Sequence, residues 1–191
     1  MKIRNGFVTN SSSSSFIVAF QTIPESVEEL QKMMFNDVED VEHCFSGLPN
    51  HPKAYSSREI AQTVWNDMFD ELGNLKCINT EQIIEYFTQE YASLCGVKMP
   101  EYDEFFTAKP PEKEDLGSEE WQQYWKEREK EHMRYNLACE EQARKALDIF
   151  REKAGPSFIL HFEYGDDNIY ESHLEHGNIF ARFEHVRISH H

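Results

Sequence analysis

The sequence predicts an α+β fold in which the N- and C-terminal segments form a small β-sheet that packs against several helices. Residues 16–20 are a short apolar run, which is typical of a buried strand. Apolar and polar residues alternate over residues 158–164, as in a strand with one buried face. Between these ends, apolar residues recur at helical spacing. We therefore expect one α+β domain over residues 1–191, with its strands at the two ends and its helices in the middle.

Three helices are predicted in the first half of the chain. The first covers residues 24–35, and the acidic residues of its first turn suit the helix dipole. The second begins at a capping-box sequence at Ser56, and its apolar face extends to Leu72. The third covers about residues 80–95 and ends before a glycine. Residues 36–56 are expected to form an irregular loop.

The sequence predicts one very long helix over residues 118–154, which Ser118 caps at its start and which Gly155 and Pro156 end. At about 1.5 Å per residue such a helix is roughly 50 Å long, more than the width of a globule of this size. We therefore expect that part of the helix projects or that the helix breaks. The segment 99–117 contains three prolines and is expected to be a surface connection.

The formal net charge is −16 and the pI is near 4.9. Direct binding to bare nucleic acid requires clustered Lys and Arg, so this charge argues against it. The charge favours a protein partner with a basic surface, including one whose groove normally holds nucleic acid. Solubility alone is the alternative explanation of the charge.

The sequence predicts a cytoplasmic protein without membrane contact. No apolar stretch is long enough to cross a bilayer, and the short apolar run near the start lacks the features of a signal peptide. The four cysteines are widely spaced, without a Cys-x-x-Cys pair, and are expected to be reduced residues of the core. They are Cys44, Cys77, Cys95 and Cys139.

A run of five serines lies between two apolar triplets. It consists of Ser11, Ser12, Ser13, Ser14 and Ser15. Serine has poor helix preference, and three interpretations stay open: a flexible lead-in, an anion-binding concavity of hydroxyls and backbone amides, or a modified or recognised segment. Because Phe7, Val8 and residues 16–18 frame the run, we expect both of its ends to be anchored to the sheet.

Residues 1–18, MKIRNGFVTNSSSSSFIV, resemble an N-terminal signature of uncharacterised bacterial and bacteriophage proteins. Residues 174–177, Leu-Glu-His-Gly, and residues 187–191, Arg-Ile-Ser-His-His, resemble the ending often found with that signature. The resemblance implies a prokaryotic or phage origin. The resemblance implies no activity and no site residues.

Six of the nine histidines lie after residue 160: His161, His173, His176, His185, His190 and His191. With the carboxylates between them they form a ligand set that suits zinc or manganese. The sequence His173-Leu174-Glu175-His176 is one residue short of the His-x-x-Glu-His pattern, so it does not support that mechanism. Structural or surface histidines are the alternative, which we favour over a metal site.

Aromatic residues at the start of the long helix are the best candidates for a protein contact. They are Trp121, Tyr124 and Trp125, and they precede the highly charged stretch 126–134. Packing of these rings against the body of the protein is the alternative. The long helix also offers a surface for a second copy of the chain.

The leading hypothesis is a non-enzymatic accessory protein of phage or mobile-element origin that acts by protein–protein contact through its acidic surface and the long helix. One specific form is a defence inhibitor that mimics nucleic acid in a basic groove. This hypothesis needs no cofactor. The competing hypothesis is a small metal-dependent hydrolase in which the C-terminal histidines, with Asp and Glu, hold zinc or manganese.

Overall fold

The computed structural model describes residues 13–48, 52–88, 93–112, 116–165 and 169–189. It confirms the predicted α+β class, with a small antiparallel sheet built from the N- and C-terminal parts of the chain and one long helix among several. No helix in these ranges is both long and apolar enough to cross a membrane.

The described elements follow one another along the chain. In order they are β1 (Ser13–Phe20), α1 (Val27–Phe35), β2 (Asp40–Glu42), β3 (Ala54–Ser56), α2 (Ser57–Met68), α3 (Thr80–Phe87), β4 (Ser93–Leu94), β5 (Val97–Lys98), α4 (Tyr102–Phe105), α5 (Glu119–Ala154), β6 (Phe158–Gly165), α6 (Ile169–His176) and β7 (Glu184–Ser189).

The chain divides into two compact units. The first, which we call the sheet unit, consists of Met1–Asn79 and Arg151–His191, and the second, the helical unit, consists of Thr80–Phe150. The helix α5 runs through the second unit, and its last turn belongs to the first.

The strand β1 is the middle strand of the main sheet, whose order is β6-β1-β7 with antiparallel pairing throughout. Phe16 lies opposite Phe162 on one side and opposite Arg187 on the other. From Ser14 to Phe20 every residue of β1 is buried, on both faces of the sheet. This double burial explains why the strand is a continuous apolar run rather than an alternating one.

The core of the sheet unit lies on the face of β1 that carries Phe16, Val18 and Phe20. The helices α1, α2 and α6 each contribute apolar side chains to it, which removes a large apolar area from water. The buried residues of this core are Phe16, Val18, Phe20, Leu30, Met34, Ile60, Ala61, Val64, Met68, Leu160, Phe162, Tyr164, Leu174, Ile179 and Phe180.

The long helix α5 is continuous over 36 residues, so it does not break. The N–H of Trp121 donates to the Ser118 hydroxyl at 3.4 Å, which is the predicted N-terminal cap. At the other end Gly155 adopts a φ of +66° and its N–H donates to the carbonyl of Arg151 at 3.0 Å. A glycine in this left-handed conformation ends a helix at no steric cost, as the sequence predicted.

The predicted extent of the second helix was wrong at its end. The helix α2 stops at Met68, because Phe69 is extended, with φ −119° and ψ 148°. The carboxylate of Asp70 then accepts hydrogen bonds from the N–H groups of Leu72 and Asn74 and closes a turn. Leu72, expected on the buried face, is therefore 87% exposed at the turn.

Three other predictions also needed correction. The expected loop 36–56 contains β2 and β3, which pair with Val41 opposite Tyr55, and the expected connection 99–117 contains α4. The third helix stops at Phe87, so Leu94 lies in β4. The strands β2, β3 and β4 and the helix α4 have two to four residues each, which is too short for a periodic pattern to identify them.

Gly177 packs so closely against α6 that a side chain does not fit. A Cβ built there would lie 2.4 Å from the carbonyl oxygen of His173 and 2.7 Å from its ring carbon Cε1. We expect Gly177→Ala to lower the free energy of unfolding by about 1–3 kcal/mol, because the ring or the helix end must shift. Denaturant unfolding measures this effect. Gly47→Ala is the matched control, because a Cβ there meets nothing within 4 Å, and an equal loss in both variants would contradict the prediction.

Candidate functional site

A fully buried carboxylate lies between the sheet and α6. Glu175 has no exposed surface, and the hydroxyl of Ser14 donates to its Oε1 at 3.1 Å. The Nε of Arg187 donates to the same hydroxyl at 3.1 Å, and Nη2 of Arg187 lies 3.8 Å from Oε1 of Glu175. His176 Nε2 lies 3.4 Å from the other carboxylate oxygen. We call Ser14, Glu175, His176 and Arg187 the carboxylate network.

The carboxylate network joins the two ends of the chain that carry the sequence resemblance. Ser14 belongs to the serine run, Glu175 and His176 to the Leu-Glu-His-Gly segment, and Arg187 to the last strand. Because a buried carboxylate is stable only with partners, these residues depend on one another.

The serine run is part of the sheet from Ser13 onward. Ser13 is half-buried, whereas Ser14 and Ser15 are buried within β1. Burial keeps these two hydroxyls out of reach of a modifying enzyme while the chain is folded, and the Ser14 hydroxyl is engaged by Glu175 and Arg187. Ser11 and Ser12 lie outside the described residues, as do Phe7 and Val8.

A second polar cluster lies beside α6, and it includes residues that the sequence analysis did not select. One donor atom each from His43, Cys44 and His173 lies within 4.8 Å of the other two. His43 and His173 are buried, whereas Cys44 is exposed. We call these three residues the histidine–cysteine group. It is the one group of three potential metal ligands within this distance in the parts of the chain that the structure describes.

Aromatic packing fixes the two imidazole rings of this group. The rings of His43 and His173 stack with their centroids 5.2 Å apart, and the ring of Tyr55 lies 5.2 Å from the first and 5.3 Å from the second. The Nδ1 of His43 accepts the N–H of Phe45 at 2.9 Å, and the Nδ1 of His173 accepts the N–H of Cys44 at 3.3 Å. In its neutral form each ring therefore carries its proton on Nε2.

In the absence of a cation, burial keeps His173 and Cys44 uncharged. Burial, and to a smaller degree the neighbouring His43, lowers the pKa of His173 to about 4, so this imidazole is neutral at physiological pH. Partial burial of its sulfur raises the pKa of the Cys44 thiol. The Nε2 of His173 is buried without a hydrogen-bond partner.

The other predicted histidines lie apart from this group. His161 is on β6 and lines a cleft described below, and His176 belongs to the carboxylate network. The Nδ1 of His185 lies 3.0 Å from the carbonyl oxygen of Phe183. His190 and His191 lie outside the described residues.

The cysteine prediction holds only for Cys139, which is buried. Cys44 and Cys77 are exposed and Cys95 is half-buried, and none of the four is in a disulfide. A single cysteine carries no periodic signal, so its burial depends on the surrounding fold.

A cleft of the sheet unit with a volume of about 700 Å³ lies along β6. Its most notable feature is a hydrogen bond of 3.2 Å from the Tyr164 hydroxyl to the carboxylate of Asp67. Burial raises the pKa of Asp67, and burial together with the Asp67 charge raises the pKa of Tyr164 well above its usual value. Lys76, Glu163 and Glu171 make the rest of the lining strongly polar.

In the helical unit, the predicted aromatic contact residues form one cluster. The ring of Trp121 lies 5.4 Å from that of Tyr124 and 5.9 Å from that of Trp125, centroid to centroid. Trp125 is 56% exposed, whereas the other two are half-buried. An exposed tryptophan supported by two neighbouring rings is an arrangement that suits contact with a partner.

The charged stretch 126–134 is partly covered within the helical unit. Glu131 is buried and accepts the N–H groups of Thr107 and Ala108, both at 2.9 Å. The guanidinium of Arg128 lies 4.3 Å from the centre of the Phe106 ring. Part of this stretch therefore holds the segment before α5 in place and is not free for a partner.

Compared with protein-family models, curated proteins and solved structures, the chain matches none.

The carboxylate network generates a stability prediction. Glu175→Ala leaves the Ser14 hydroxyl without its buried acceptor and the Arg187 guanidinium without its buried ion-pair partner. We expect a loss of about 3 kcal/mol in the free energy of unfolding. Ser14→Ala should lose about 2 kcal/mol, because a hydrogen bond to a charged group contributes more than one between neutral groups. Ser13→Ala is the control and should stay within about 0.5 kcal/mol of wild type. Equal effects at Ser13 and Ser14, measured by denaturant unfolding, would contradict this account.

The Tyr164–Asp67 pair predicts a dependence of stability on alkaline pH. The pKa of Tyr164 is raised in the folded chain, so its stabilising contribution is complete below the unfolded phenol pKa of about 10 and is lost as the pH rises above it. In this range we expect the free energy of unfolding of wild type to fall as the pH rises. The fall should be steeper than in Tyr164→Phe, by up to about 1.4 kcal/mol per pH unit. Identical slopes in the two proteins would refute the prediction.

Proposed function

We propose that this protein is a non-enzymatic accessory protein of phage or mobile-element origin that binds the basic surface of another protein. The observation that supports the proposal is the acidic segment, which we define as residues 25–42. It carries seven carboxylates against one lysine, a net charge of −6 in 18 residues, and all seven acidic residues are exposed. They are Glu25, Glu28, Glu29, Asp37, Glu39, Asp40 and Glu42.

Four of these carboxylates follow one another closely at the end of the segment. Glu28 is paired with Arg58 at 2.8 Å, and Glu29 accepts the N–H of Glu25 at 2.6 Å, so both serve the local structure of α1. The last four, over residues 37–42, lie in a span of six residues and have no lysine or arginine among them. Solubility alone needs dispersed charge, whereas a concentrated cluster produces a field that steers a basic partner.

The origin is inferred from the resemblance of both chain ends to bacterial and bacteriophage proteins. A phage protein with a concentrated acidic surface fits the role of a defence inhibitor that occupies a basic nucleic-acid groove. Electrostatic complementarity of this kind raises the association rate and selects the partner.

The long helix offers a second contact surface. Trp125, Met133 and Leu137 are each more than half exposed, and they lie at spacings of eight and four residues on one side of α5. Exposed apolar residues in a row favour contact with a partner or with a second copy of the chain.

The proposal is tested by competition for a basic groove. Labelled duplex DNA is bound to purified nucleases of bacterial defence systems, one at a time, and its displacement by this protein is followed by fluorescence anisotropy. We expect displacement that weakens between about 50 and 200 mM salt, because the contacts are electrostatic. The test variant removes the charges of the last four acidic residues of the acidic segment through the substitutions Asp37→Asn, Glu39→Gln, Asp40→Asn and Glu42→Gln.

Neutralising this cluster should weaken displacement about tenfold or more, because each exposed ion pair contributes roughly 0.2–1 kcal/mol. The matched control removes the same charge from exposed acidic residues of the helical unit, as Glu101→Gln, Asp103→Asn, Glu104→Gln and Glu112→Gln. Displacement that does not respond to salt, or an equal loss in the two variants, would exclude a specific acidic surface.

A further inference from the structure

We propose that the histidine–cysteine group is a zinc site, with His43 and His173 as buried ligands and Cys44 as the ligand that faces solvent. Its three donor atoms lie within 4.8 Å of one another. Two imidazoles and a thiolate are a borderline-soft ligand set that suits zinc. Three protein ligands leave the fourth tetrahedral position to water or to a small ligand that enters from the exposed side.

The distances require only a small closure around the ion. Zinc–nitrogen bonds of about 2.0–2.1 Å and zinc–sulfur bonds of about 2.3 Å place neighbouring ligand atoms about 3.3–3.6 Å apart. The ring packing of His43, His173 and Tyr55 holds the two imidazoles. The exposed side chain of Cys44 is held only by a long hydrogen bond of 3.9 Å from its thiol to the carbonyl of Ser172. Cys44 can therefore supply most of the movement of about 1 Å.

The Nε2 of His173 is an independent indication of a ligand. It is a polar atom of a side chain with no exposed surface, and it has no hydrogen-bond partner. A buried polar atom without a partner is destabilising, and this nitrogen can bond to a cation once its proton has moved to Nδ1.

Binding of the ion changes where the ligand protons lie. When sulfur binds the ion, the Cys44 thiol gives its proton to solvent. When Nε2 of His173 binds it, the ring proton moves to Nδ1, and the 3.3 Å hydrogen bond from the Cys44 N–H is given up. His43 gives up the 2.9 Å hydrogen bond from the Phe45 N–H, because its Nδ1 either binds the ion or takes up the proton that Nε2 loses. Two hydrogen bonds are a small loss compared with three zinc–ligand bonds.

The acidic segment ends directly before the group. Asp40 and Glu42 are exposed, and Glu42 precedes His43 in the chain. Their carboxylates raise the local concentration of cations around the site. The group itself contains no oxygen ligand, so it favours zinc over manganese, which prefers carboxylates, carbonyls and water.

The test uses the full chain without an affinity tag, with reduced thiols, in metal-free buffer. Cobalt(II) is titrated as a spectroscopic substitute for zinc and is then displaced by zinc. We expect one equivalent of cobalt, a thiolate-to-cobalt charge-transfer band in the near ultraviolet, and visible bands of four-coordinate cobalt. Zinc should then abolish these bands at one equivalent and raise the melting temperature, because it binds the folded state.

Two cysteine variants distinguish this site from other metal contacts. Cys44→Ala should abolish the charge-transfer band and weaken metal affinity at least 100-fold, since even changes in residues that only orient ligands cost 10–100-fold. Cys77→Ala, which removes another exposed cysteine of the same unit, should leave the charge-transfer band and the metal affinity unchanged. Circular dichroism checks that both variants are folded. The proposal is overturned if wild type shows no thiolate band or no stoichiometric binding, or if Cys44→Ala binds metal as wild type does.

Discussion

The hydrogen bond between the Ser14 hydroxyl and the buried Glu175 carboxylate is the interaction on which the sheet unit depends. It links the middle strand β1 to α6 across 161 positions of the chain, and Arg187 adds β7 to the same contact. A carboxylate without exposed surface needs such partners, so α6 must lie with Glu175 over this end of the sheet. The register of β1 is equally constrained, because a slip of one residue would turn Ser14 to the opposite face.

The docking of α6 also decides where the histidine–cysteine group forms. Successive residues of a helix point about 100° apart, so His173 and Glu175, two positions apart, point in nearly opposite directions. While Glu175 faces Ser14, His173 faces His43 and Tyr55. One short helix thus holds a buried carboxylate on one side and a buried imidazole on the other. Disturbing either contact is expected to affect its neighbour, because both rest on the same eight residues.

The features that sequence reasoning predicted are those with a local signal. The apolar run in β1, the alternation in β6 and the cap of α5 at Ser118 are each visible within a few residues, and the α+β class follows from them. The two polar clusters have no such signal, because His43 and His173 are 130 positions apart and only the fold brings them together. Ser14 is also a poor strand former by itself, and its place in β1 comes from burial and from its charged partners.

The acidic segment and the histidine–cysteine group are adjacent in the chain, and physical linkage would couple the two proposed binding events. A zinc ion together with a Cys44 thiolate adds one positive charge directly after Glu42, which reduces the field that attracts a basic partner. By reciprocity, a bound basic partner would then weaken zinc binding by the same factor. The two events differ in their response to salt, because ions screen exposed carboxylates beyond about 8 Å at physiological ionic strength but act little on bonds to a partly buried metal. Zinc should therefore oppose partner binding most strongly at low salt, and the coupling should fade as salt is added.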